Sequence, residues 1–104
     1  MAKEARKIIC RQGDLVFIRG DEPATGKPQS RLVVEVGEAT GHSHLLVCEV
    51  GSTVRGDKTR FTLTGKAKLV HPEHDAIPFS EGNYIVLHKK EWDYVEQELK
   101  RVSD

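Results

Sequence analysis

Four of the five histidines in this 104-residue chain stand in two close pairs. His42 and His44 flank a serine in TGHSH, and His71 and His74 bracket Pro72 and Glu73 in HPEH. Two residues apart on a strand, His42 and His44 would share a face. Three apart across a turn, His71 and His74 can converge. Imidazole suits zinc, copper, iron and nickel, so the four rings read as candidate ligands of one divalent transition metal, zinc first. Three imidazoles with an open position would make a catalytic type of centre, and four a closed structural one. Glu73 and Cys48 are candidates for supporting the ligands from behind. In an enzyme, Glu73 would be the general base. The competing readings are a hydrogen-bonded histidine cluster without metal, and unrelated surface histidines. His88 alternates with Tyr84 and Val86 and reads as packing or rim.

The two pairs meet only if the elements carrying them are neighbours. Short apolar or alternating runs at 15–18, 32–36, 42–50, 60–64, 67–70 and 83–88 predict about six strands. The run Leu15-Val16-Phe17-Ile18 suits a strand buried on both faces. On the third strand His42, His44, Leu46, Cys48 and Val50 share one side, which puts the histidines at the end of a buried face. Pro72 predicts a departure from regular pairing after His71. Two prolines and two glycines between Gly20 and Pro28 predict an exposed loop. From residue 89 the period changes: Trp92, Val95, Leu99 and Val102 form one apolar helical stripe, with acidic residues early and basic ones late, as the helix dipole favours. The expected fold is all-β, a small barrel or sandwich with a C-terminal amphipathic helix. It forms a single domain over 1–104: an N-terminal arm at 1–10, a β body at 11–88 and a helix at 89–104. The helix either caps the body or packs on a neighbouring subunit.

Composition narrows the function classes. Residues 1–31 carry seven basic and four acidic side chains, the remainder nine and twelve, so a basic arm is present but no strong excess of the kind nucleic-acid domains show. No apolar run is long enough to span a membrane, and no apolar stretch follows the charged MAKEARK start as a signal peptide requires. Cys10 and Cys48 are in no CxxC pair and read as free thiols of a reducing cytoplasm. No nucleophile elbow and no phosphate loop is present.

Gly37, His42, His44 and Glu49 are similar to the first cupin motif, one residue short in its first spacing, and no second cupin motif follows. Nearly the whole chain resembles a group of small, functionally uncharacterised proteins of bacteria and their phages. The stretches that carry the resemblance are Gln12-Gly13-Asp14, Gly37-Glu38-Ala39-Thr40-Gly41-His42-Ser43-His44, His71-Pro72-Glu73-His74, Ile77 to Tyr84, and Glu91-Trp92. The resemblance implies that the histidines are a shared feature, and it implies no activity.

Three functions are therefore expected in order. The first is a non-enzymatic binding or assembly module with a histidine metal site, of phage or mobile-element origin, with a protein partner or a second copy on the helix stripe of Trp92, Val95, Leu99 and Val102. The second is a cupin-like metal enzyme. The third is a nucleic-acid-binding barrel. Ligating histidines must be neutral, so acidification below about 6 is expected to release a bound metal.

Overall fold

Among the described residues, nine strands and one helix form from these patterns. The computed structural model describes residues 8–36 and 43–103, with side chains described for 8–35 and 43–98. In chain order the elements are β1 (Ile8–Gln12), β2 (Leu15–Arg19), β3 (Arg31–Val36), β4 (Ser43–Cys48), β5 (Thr53–Gly56), β6 (Arg60–Thr64), β7 (Ala67–His71), β8 (His74–Phe79), β9 (Gly82–His88) and α1 (Lys89–Ser103). They make two antiparallel sheets, one in the order β1-β2-β9-β6-β5 and one in the order β3-β4-β7-β8. The inner faces of both supply one core, in which Phe17, Leu46, Phe61, Leu63 and Leu69 are at most 1% exposed. The fold is a sandwich and not a closed barrel.

Three strands lie beyond the six that hydrophobic runs predict. β1 occupies the end of the expected arm: Ile8 pairs with Ile18 and Gln12 with Leu15 across a two-residue turn. β5 is four residues long and ends in a glycine, too short and too polar to register as a periodic run. β8 contains Pro78, which argues against a central strand. It lies at a sheet edge, where a missing N–H removes no ladder bond. Pro72 does not throw the chain out of pairing: residues 71–74 form a two-residue hairpin in which His71 and His74 are direct partners. The 20–28 loop is tied to the body, with Ala24 buried and its N–H donating to Thr62 Oγ1 at 2.6 Å.

β2 is buried on both faces, as its unbroken apolar run requires. Leu15 and Phe17 enter the core, while Val16 and Ile18 face outward beneath Trp92 of α1. Helix α1 thus covers the outer face of the five-stranded sheet through its first turns. His88 stands at the helix N-cap, and Glu91 three residues on accepts its backbone N–H at 2.7 Å, the return half of a capping box. Because Trp92 is the buried anchor of this contact, Trp92→Ala is expected to cost about 2 kcal/mol, below the range for a central core tryptophan because the site is peripheral. Far-ultraviolet circular dichroism should show helix signal lost at a lower temperature than strand signal. Coincident, unchanged melting of both would exclude that anchoring role. Among the described residues no helix is long and apolar enough to cross a membrane.

Candidate functional site

One end of the sandwich gathers the histidines. The turn between β1 and β2, the end of β3, the start of β4, the β7–β8 hairpin and the end of β9 all reach it, because Glu35 pairs with His44, Leu15 with His88 and His71 with His74. Two of these strand pairs change register beside the site, between Val33 and Glu35 and between Leu69 and His71. Such irregularities re-aim side chains at a sheet end. They surround a cavity of ≈ 310 Å³ walled by His44, His71, His74 and His88, with the carboxylate residues Asp14, Glu35 and Glu73 and the chain at Gly13 and Leu15.

The centre of the cluster is His44, 7% exposed on the inward face of β4, next to Leu46. Its ring lies 4.3 Å from that of His71 and 6.1 Å from that of His74, and the His71 and His74 rings are 4.7 Å apart, centroid to centroid. Gly13 closes the cluster from the other sheet. Its φ of +60° favours glycine, and a Cβ there would stand 3.0 Å from His74 Nε2 and 3.3 Å from His44 Cε1. Two imidazoles therefore occupy the space that any side chain at this turn would need.

Gln12 decides which nitrogen of His44 carries the proton. This residue is 3% exposed and crosses from one sheet to the other. Its Nε2 donates to the carbonyls of Leu69, at 3.2 Å, and Asp75, at 2.9 Å, on either side of the register shift in β7–β8. Only an amide nitrogen can serve two carbonyls, so Oε1 is the atom facing His44 Nδ1 at 2.8 Å. An oxygen there accepts; Nδ1 donates, and the Nε2 of neutral His44 keeps its lone pair. Burial, first, and then the neighbouring His71 and His74 push the His44 pKa down to about 4, while Asp14 pulls it the other way. His71 has the opposite polarity: its Nδ1 accepts the Glu73 N–H at 3.0 Å, so the neutral ring carries its proton on Nε2.

The expected site residues divide as follows. His44, His71, His74 and Glu73 come together. His42 lies outside the described residues. Cys48 does not join them: four residues from His44 along β4, it is about 13 Å away, where it pairs with Ala67 and its thiol contacts the Gln29 carbonyl at 3.9 Å. Both cysteines are free, and burial raises their thiol pKa values, that of Cys10 to about 11. His88, expected only as packing or rim, lines the cavity and places Nε2 3.3 Å from Glu35 Oε1. Gln12, Asp14 and Glu35 carry no motif of metal chemistry. The one signal for Gln12 and Asp14 is the Gln12-Gly13-Asp14 stretch, which reads on its own as a turn. Among the described residues, no three histidine, cysteine, aspartate or glutamate side chains stand as a ready ligand set.

Searches of curated proteins and of solved structures found no match. A family comparison matches residues 11–89, a span that contains every described residue around the cavity and leaves out nearly all of α1. On that match the chain belongs to the family described as a domain of unknown function, DUF8820.

Proposed function

We propose that this chain is a non-enzymatic cytoplasmic binding module whose histidine cavity takes one divalent transition metal, zinc first. The observation that carries the reading is the Gln12–His44 pair: a buried hydrogen bond holds the ring by Nδ1 and leaves a neutral Nε2 lone pair. Backing a ligand imidazole with an acceptor on its other nitrogen is how proteins fix metal-binding histidines. The walls fit a cation, because three carboxylate residues share the cavity with an imidazole that stays neutral far below pH 7. Imidazole donors among the carboxylates favour a transition ion over magnesium or calcium. His44, His71 and His74 would hold the ion, with Glu73 beside them on the hairpin. Against a nucleic-acid role, Phe17, Phe61, Phe79, Tyr84 and Trp92 are all buried. Among the described phenylalanine, tyrosine and tryptophan residues, Tyr94 alone exposes its ring for a base to stack on.

Isothermal titration of the chelator-treated full chain with zinc tests the reading. One zinc per chain is expected, with affinity reduced at least about tenfold by His74→Ala, whose exposed position leaves folding intact. His42→Ala belongs in the same series and reports whether the first pair acts together. Absence of zinc uptake by folded wild type, or unchanged uptake in His74→Ala, overturns the metal site.

A further inference from the structure

The histidine cavity has a second flank. Strands β7, β4 and β3 lie side by side in one sheet, with His71 on β7, His44 on β4 and Glu35 on β3. Neighbouring strands are about 4.8 Å apart, so the backbone at Glu35 is roughly 10 Å from the strand that carries His71. The register shift after Val33 breaks the alternation of β3, and Glu35 joins the cavity wall although the preceding Val34 is buried. His88 comes to the same flank from the other sheet, where it continues the row of buried Tyr84 and Val86 to the end of β9. Asp14 precedes Leu15, the strand partner of His88. Its carbonyl accepts the Lys89 N–H at 2.8 Å, which ties the turn to the end of β9.

Glu35 Oε1 and His88 Nε2 are 3.3 Å apart. A charge-assisted hydrogen bond closes to about 2.7–2.9 Å. Two donors held at about 2.1 Å by one ion stand roughly 3.0 Å apart in an octahedral arrangement and roughly 3.4 Å apart in a tetrahedral one. The pair therefore has the spacing of adjacent ligands, reached from two different sheets. No lysine or arginine is among the described residues that line this cavity. Lys58 and Arg60 line a separate hollow of ≈ 380 Å³, which shares only Leu15, Glu35 and His88 with it. Asp14 faces the cavity closely enough to oppose the fall of the His44 pKa.

We propose that Glu35, His88 and Asp14 form a second divalent-cation site, beside the three histidines and distinct from them. Two carboxylates and one imidazole are a harder donor set than three imidazoles, which suits an ion of the manganese type. With the His88 side chain half exposed, water competes for the ion and this is the weaker site. Zinc fills the three histidines first, and the one zinc expected there is that tight step. The two sites share no ligand, so this one does not rest on the zinc reading.

Electron paramagnetic resonance of manganese, added to the chelator-treated full chain after one equivalent of zinc, tests it. Binding removes the sharp multiline signal of the free ion. One manganese per chain is expected, with affinity at least about tenfold lower in Glu35→Gln and in His88→Ala, and unchanged in His74→Ala. Circular dichroism of the variants should match wild type, because Glu35→Gln preserves shape and His88 is exposed. Uptake that depends on Glu35 in a chain that takes no zinc supports this site and removes only the zinc reading. Absence of manganese uptake by folded wild type overturns the proposal. So does uptake that survives Glu35→Gln, or uptake lost in His74→Ala alone, which would put the ion among the three histidines.

Discussion

Replacing Gln12 with leucine should lower stability by about 4 kcal/mol. The side chain is 3% exposed and joins three groups: the Leu69 and Asp75 carbonyls and the His44 Nδ1–H. Leucine nearly matches its volume but leaves all three without a partner, and each buried polar group so orphaned costs about 1–3 kcal/mol. The Asp75 bond is only part-buried, so water recovers some of its share, which keeps the total below the upper limit. For a domain of this size the melting midpoint should fall by about 15 °C or more. Gln12→Glu is the informative companion. It preserves an acceptor toward His44 but turns an oxygen toward the two carbonyls, so it should destabilise nearly as much. If chemical denaturation shows Gln12→Leu within 1 kcal/mol of wild type, a magnitude ordinary for surface changes, then the amide does not join the sheets and His44 loses the basis for its tautomer.

The parts of this molecule that sequence made legible are those governed by periodicity. Val16 and Ile18 sit under the helix because an unbroken apolar run requires two buried faces, and His44 ends an inward face because it alternates with Leu46. The adjacency of β4 and β7, on which joining the two histidine pairs depends, is present. What escaped depends on contacts between elements distant in the chain. Gln12 looks like a turn residue, and its role exists only because β1 of one sheet abuts β8 of the other, 63 residues away. His88 alternates with buried Val86 and Tyr84 and so belongs, by pattern, to packing or rim. Its pairing opposite Leu15 carries it to the same end as the hairpin. Glu35 reaches the cavity through a register shift that no hydrophobic pattern announces. Polar residues serving a site follow tertiary geometry, whereas the hydrophobic period follows burial.

Acidification should destabilise the metal-free protein across a defined window, and His44 sets it. Its pKa is about 4 in the fold against 6.5 for an ordinary histidine. Above pH 6.5 both the folded and unfolded chains hold it neutral, and it contributes nothing to the pH dependence. As pH falls through 6.5 the unfolded chain takes up a proton that the folded chain refuses, so unfolding becomes progressively easier until the folded ring also protonates near 4. At about 1.4 kcal/mol per pH unit this amounts to about 3 kcal/mol lost between pH 6.5 and 4, and about 2 kcal/mol by pH 5. Urea denaturation at pH 7.5, 6, 5 and 4, in chelator, measures it. The control is His44→Asn, which has no titratable ring: its absolute stability should be lower, but its slope over this window should be flatter by the same amount. Parallel slopes for the two proteins would mean that folded His44 titrates as it does in water.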